Sequence, residues 1–129
     1  MAHYRLEGTV GHVGTPGAPI LHLNVFVKQN GVAGGHAEIE QALPPPNNPI
    51  VLAVTGTVYP FAQPPAHHVI ELDGTYLQPF GPPPLIGAIL EHFHAVLSVT
   101  AVGNQWDGHG TFKYGPHTVS GAPVKLLKF

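Results

Sequence analysis

The residues best suited to chemistry in this chain are histidines, and the stretch EHFHAVLSV, residues 91–99, places two of them one residue apart. Along an extended strand, side chains at i and i+2 point to the same side. His92 and His94 would then be neighbours, with two imidazoles available to one metal ion. A third ligand would complete a site, and an open fourth position for water would allow catalysis. If this strand turns back around GNQWDG without a bulge, pairing residue 102 with 109, His94 falls opposite His117. Cross-strand Cβ atoms sit about 5 Å apart. His92, His94 and His117 would form a three-imidazole set suited to zinc, copper, nickel or iron(II), the one transition-metal ion of a metal-dependent enzyme. Against this stands the apolar row Phe93, Ala95, Leu97 and Val99. It puts the histidines on the wetter face, where an imidazole needs no ligand role. Glu91 falls on the parity opposite to theirs.

The remaining chemistry is thinner. His67 and His68 are adjacent, so a strand would split them between its two faces. His36, Glu38 and Glu40 share a face and read as a solvated row. Ser98 and Ser120 are the only serines, and neither sits in a Gly-x-Ser-x-Gly elbow. No Walker or dinucleotide glycine pattern is present. The aromatic residues suit binding better than catalysis. Trp106 lies in GNQWDGHG among Asn104, Gln105, Asp107 and His109. A loop tryptophan among amide and carboxylate groups can stack on a sugar or anchor a partner; otherwise it folds back over the end of a sheet. Phe61 and Phe80 carry the same two readings.

Composition limits the partners. Charged residues are 9% of the chain, against about 25% in an average domain. Five basic side chains with no basic run exclude the electrostatic footprint of a nucleic-acid binder. The formal charge is −2 with histidine neutral, and ten histidines each add a positive charge in acid. So sparsely charged a surface points to self-association, a homo-oligomer rather than a monomer. The chain has no cysteine, which removes disulfides and thiolate ligands. The first ten residues show no basic segment followed by an apolar run, and no apolar stretch is long enough to span a bilayer. A cytoplasmic protein is the expectation.

Strands hold these side chains in place. With 129 residues, one domain, 1–129, is expected. The 16 glycines and 15 prolines punctuate eight strand-like segments, roughly 3–12, 19–28, 33–42, 50–58, 67–77, 88–102, 108–115 and 122–128. In ILHLNVFV, Leu21, Leu23, Val25 and Val27 alternate with His22 and Asn24, the period of a half-buried strand. QNG at 29–31 supplies an Asn-Gly pair of the kind that favours a type I′ hairpin turn, and Asp107-Gly108 reads similarly. The proline runs at 43–49 and 80–85 lack donors for a ladder and read as stiff connectors. A helix over 84–97 is the alternative to a strand there. Gly-Thr followed by a β-former recurs at Gly8, Gly56, Gly74 and Gly110. Glycine inside strands marks bends or close backbone approach, and four such points would coil a sheet toward closure.

GTPGAPILHLNVFV, GHAEIEQALPPP and the closing GAPVKLL resemble a bacterial family catalogued as a domain of unknown function. The resemblance covers nearly the whole chain and implies a small β-rich protein. It assigns no catalytic residues, and the stretch 58–84 departs from its pattern.

Taken together, the residues predict an all-β protein, an antiparallel sandwich or barrel of about eight short strands with proline-rich connectors. They point to a binding or interaction protein rather than an enzyme, with no cofactor. Its ligand would be a glycan, a small apolar molecule or a protein, met by Trp106 and the loops. The metal-dependent enzyme built on His92 and His94 is the alternative.

Overall fold

The computed structural model describes residues 3–15, 17–40, 49–61, 67–79 and 88–129. These form eight strands: β1 (Tyr4–Val10), β2 (Ile20–Val27), β3 (Val32–Glu40), β4 (Ile50–Phe61), β5 (His67–Pro79), β6 (Ala88–Val102), β7 (Gln105–Tyr114) and β8 (His117–Lys128). Each strand pairs antiparallel with the next, and β8 returns to β1. The choice between sandwich and barrel is therefore decided for a closed up-and-down barrel. Residues 88–97 are strand, with Phe93, Ala95, Leu97 and Val99 buried on one face. The proline runs and Phe80 lie mostly or wholly outside the described residues.

Closure requires stagger. Cross-strand partners lead from Arg5 through Phe26, Gly34, Thr55, Asp73, His94 and Lys113 to Thr118. Yet Arg5 exchanges main-chain hydrogen bonds with Phe129, at 3.2 and 2.8 Å. The offset between Thr118 and Phe129 is the shear that tilts the strands, by roughly 35–45° in barrels of this kind.

Glycine makes the bending possible. A Cβ on Gly8 would run into the Lys125 carbonyl, and one on Gly56 into the Glu71 carbonyl. On Gly74 it would sit 2.5 Å from the Ala53 carbonyl, and on Gly110, 2.9 Å from that of Val96. The four Gly-Thr points are thus places where neighbouring backbones approach too closely for a side chain.

Two turns differ from expectation. Gly31 N–H donates to the Lys28 carbonyl at 2.8 Å, and Gly31 alone in this loop has positive φ, +87°. The β2–β3 loop is a three-residue turn closed by a left-handed glycine, where the Asn-Gly pair had suggested type I′. A I′ turn needs positive φ at Asn30 too; instead the Asn30 carboxamide accepts from Val32 N–H at 3.1 Å. Asp107-Gly108 is no turn, because both residues lie inside β7. The chain reverses at Gly103 and Asn104, with Gly103 at φ +61° and Val102 facing Gln105. Glycine with positive φ in the first central position is the II′ arrangement.

Side chains fill the described interior. Phe93, Phe112, Leu6, Leu21, Ile39, Ile70, Leu72, Leu97 and Leu126 are fully buried, and no polar or charged residue is buried with them. An eight-stranded barrel is just wide enough to be packed this way, and each such side chain contributes roughly 1.5–3 kcal/mol relative to exposure. The outward rows mix Glu7, Asn24, His36, Glu38, Asp73, His109, Lys113 and Lys125 with exposed Phe26, Val51, Val96 and Leu127. The described interior is apolar, whereas a bilayer-crossing barrel is polar within. No described helix is long and apolar enough to cross a membrane.

The strands alternate direction, so the barrel has two rims. The upper rim is formed by the C-terminal ends of β1, β3, β5 and β7. The lower rim is formed by those of β2, β4 and β6, with Tyr4 and Phe129.

Candidate functional site

The β6–β7 register decides the fate of the proposed metal ligands. With Val102 opposite Gln105, His94 faces Lys113 on β7 and Asp73 on β5. His94 Nδ1 lies 2.5 Å from Asp73 Oδ1. His92 faces Thr75. His117 pairs with Tyr114 across β7–β8, its ring 4.9 Å from the tyrosine ring. The three imidazoles are not brought together. The assumed register failed because the turn is two residues long. Among the described residues no group of three or more His, Asp or Glu could hold a metal ion.

Trp106 is not a loop residue. It lies in β7 facing inward and is 3% exposed. Its indole stacks on His68, with centroids 4.2 Å apart and planes at 19°, and sits 5.7 Å from the Tyr4 ring. Gln105, Asp107 and His109 alternate with it and point outward, while Asn104 occupies the turn and its carbonyl accepts from Lys128 N–H at 2.8 Å. Trp106 and its sequence neighbours therefore do not share a surface. Tyr4, His68 and Trp106 close the lower rim, with Lys128 Nζ 4.7 Å from the Tyr4 ring centre. His68 Nδ1 is buried without a hydrogen-bond partner among the described residues. Burial lowers the His68 pKa from its ordinary value, and the nearby His67 and Lys128 push the same way.

The adjacent histidines split between faces, as strand alternation requires. His67 faces outward, its Nε2 3.0 Å from Ser98 Oγ. This is the spacing of a nucleophile and its base, a pair hidden in the sequence by a separation of 31 residues. Ser98 sits mid-strand between Val69 and His109. The N–H groups around it are consumed by the ladders on both sides, leaving no main-chain donors for an oxyanion. His22 and Glu40 approach to 3.3 Å, at one side of a shallow outer groove of about 470 Å³ lined by Glu7, Thr9, Asn24, His36, Glu38 and Val51. His36, Glu38 and Glu40 are exposed, the solvated row read from sequence.

The upper rim holds the most concentrated chemistry. Tyr76 and Glu91 are cross-strand partners on the inward parity of β5 and β6. Tyr114 ends β7 beside Phe93. The turn at Gly115 and Pro116 passes beside them, and Gly115 N–H donates to the His92 carbonyl at 3.1 Å. A Cβ on Gly115 would lie 3.2 Å from both Glu91 Oε2 and the Tyr76 hydroxyl. Glycine thus lets the Glu91 carboxylate and the Tyr76 phenol approach the turn, where any side chain would crowd both. Beyond it the β5–β6 arm continues through Leu77–Leu90 to Pro79–Ala88 pairing, so it stands above the β7–β8 turn as a step. Glu91 forms no ion pair with another described residue. Burial raises the Tyr76 pKa from its ordinary value, with Glu91 and Tyr114 adding to the rise. Burial raises that of Tyr114 as well. Both phenols keep their protons at neutral pH and can donate. Sequence reasoning missed this site, although Glu91 sharing the parity of Phe93, Ala95 and Leu97 was its visible signal.

No curated protein matches the chain. The family model described as Domain of unknown function (DUF1842) matches residues 2–120, nearly the whole barrel, and the chain belongs to that family.

Proposed function

We propose that this protein is a non-enzymatic binding barrel whose small-molecule ligand sits at the upper rim, between the β5–β6 arm and the β7–β8 turn. The observation that carries the reading is Glu91, a carboxylate set in an apolar row near the Tyr76 phenol and, among the described residues, without an ion-pair partner. Polar groups in such a place have a use when a ligand supplies their partners. A binding role fits better than catalysis, because the Ser98–His67 pair found among the described residues faces outward without oxyanion donors. Self-association through the outer wall and a cytoplasmic location belong to the same proposal, the first supported by the exposed side chains of Phe26, Leu127 and Phe129.

The test is a titration of isotope-labelled protein with separate pools of neutral, anionic and cationic small molecules, followed by backbone amide shifts. Shifts centred on Tyr76, Glu91, Tyr114 and Gly115 support the rim. Shifts centred on Trp106 and His68, or none from any pool, overturn it.

A further inference from the structure

We propose that Ser98 is a covalent acyl-acceptor site, a hydroxyl that His67 activates toward thioesters and aryl esters carrying an uncharged acyl chain. It lies on the outer wall and stands independently of the rim reading.

Two neighbouring strands set the geometry. β5 and β6 pair so that His67 faces Thr100 and Val69 faces Ser98. His67 and Ser98 are therefore diagonal neighbours on one face, and His67 Nε2 comes within 3.0 Å of Ser98 Oγ. A serine hydroxyl is a weak nucleophile until an adjacent base takes its proton. With the imidazole proton on Nδ1, Nε2 accepts the hydroxyl hydrogen and is placed to remove it. Ser98 is exposed, so a donor meets Oγ from solvent with no cavity to enter.

The surroundings select the donor. Val69 lies beside Ser98, and Val96, 39% exposed, lies two residues back on the same face. Together they offer an apolar shoulder for an acyl chain. Glu71 pairs with Val96, and Asp107 pairs with Thr100, so two carboxylates lie diagonal to Ser98. Lys125 stands beyond Asp107, which leaves the local balance negative. An acyl phosphate or another anionic donor is repelled there.

In the reaction Oγ attacks the acyl carbon as its proton passes to His67 Nε2. The Oγ–C bond forms. The bond from the acyl carbon to sulfur or aryl oxygen breaks with its electron pair, and the departing thiolate or phenolate takes the proton from the imidazolium. Ser98 is left as an ester and His67 is neutral again. The N–H groups around Ser98 are held in the ladders on both sides, so no main-chain donor stabilises the oxyanion. A donor with a good leaving group tolerates that lack, whereas hydrolysis of an alkyl serine ester does not. The acyl group therefore stays, and the site accepts one group per chain without turnover.

The experiment treats the protein with p-nitrophenyl butyrate at pH 7.5 and locates the butyryl group by peptide mass spectrometry. The chain has no cysteine, and Ser120 is the only other serine. Ser120 is exposed on β8 and, among the described residues, makes no hydrogen bond to an imidazole, so it serves as the reference within the same molecule. A positioned base contributes about 10²–10⁴-fold, and Ser98 is expected to be esterified at least about 100-fold faster than Ser120. Nitrophenolate release should end near a single equivalent. His67→Gln should bring Ser98 close to the Ser120 rate. His109→Gln, at the position facing Ser98 on β7, should leave Ser98 as reactive as before. Esterification of Ser98 no faster than that of Ser120 would overturn the proposal, and so would equal losses in the two histidine variants. Continued release without ester building up on Ser98 would overturn it as well. Should His67→Gln not fold, the comparison of Ser98 with Ser120 in the unaltered protein still decides.

Discussion

Replacing Trp106 by alanine tests the central correction to the sequence reading. On a loop, the substitution would weaken a ligand and leave the fold intact. In the barrel, the indole is 3% exposed, stacked on His68 at 4.2 Å and set against Tyr4. Loss of a buried tryptophan costs about 3–5 kcal/mol, of which the aromatic contacts supply roughly 0.5–1.5. The wall around it is held by ladders on both sides of β7, so the strands cannot close in over the void. Water entering from the lower rim relieves part of the cost, which favours the lower end, about 3 kcal/mol. Set against a typical total of about 5–15 kcal/mol, that loss is large without abolishing folding. With a urea slope of about 2 kcal/mol per molar, the midpoint should fall by roughly 1.5 M. The assay is urea unfolding followed by far-UV circular dichroism, because the variant has no tryptophan to report by fluorescence. Trp106→Phe keeps an aromatic partner for His68 and should lose less than half as much. A Trp106→Ala midpoint within about 0.3 M of the unaltered protein would refute the buried position and restore the loop reading.

Acid should weaken the fold at His68. Its folded pKa is lowered from 6.5 by burial first and then by His67 and Lys128, so the unfolded chain takes the proton first. Stability therefore falls as pH drops below 6.5, until the folded pKa is passed. His68→Phe should show a smaller loss between pH 7.5 and 5.0 in urea unfolding, and an equal loss would refute the assignment. Gly56→Ala should cost at least about 2 kcal/mol, since the methyl meets the Glu71 carbonyl. Gly34→Ala, whose nearest neighbour is the Val54 carbonyl at 3.8 Å, should change stability by less than about 0.5 kcal/mol; similar values for the two would sink the close-approach argument. Self-association should run through the outer wall near Arg5, which lies over the Phe129 ring at 4.7 Å and pairs across strands with Phe26. These two phenylalanines are 61% and 60% exposed. Sedimentation velocity in low salt should show an oligomer at pH 7.5 and a monomer for Phe26→Glu with Phe129→Glu; an unaltered protein that is monomeric at pH 7.5 would end the idea.

Much of the site was written in local patterns. Glu91 stands in the apolar row of β6, and His67 and His68 divide between faces by alternation alone. Neither signal says what the residue meets. Tyr76 reaches Glu91 because β5 and β6 pair in one register, and Gly115 joins them because β7 turns back at their level. Ser98 and His67 meet for the same reason, across a distance in sequence that no motif spans.

Eight strand segments, most of their buried faces and the four Gly-Thr points of close approach were legible locally, because a period of two and the absence of a side chain are local properties; the starts of β7 and β8 were not, and Trp106 was expected in a loop. Which residues face one another was settled by strand pairing across the barrel. Moving one strand past its neighbour by an even number of residues leaves every apolar side chain on the same face, so patterning cannot distinguish such registers. The pairing of 102 with 109 and the observed pairing of Val102 with Gln105 differ in just this way. Both bury Phe93, Ala95 and Leu97, yet one sets His94 against His117 and the other sets it against Lys113. Closure was likewise beyond local reading, because Arg5 meets Phe129 only once the twist and stagger of all eight strands have accumulated around the barrel.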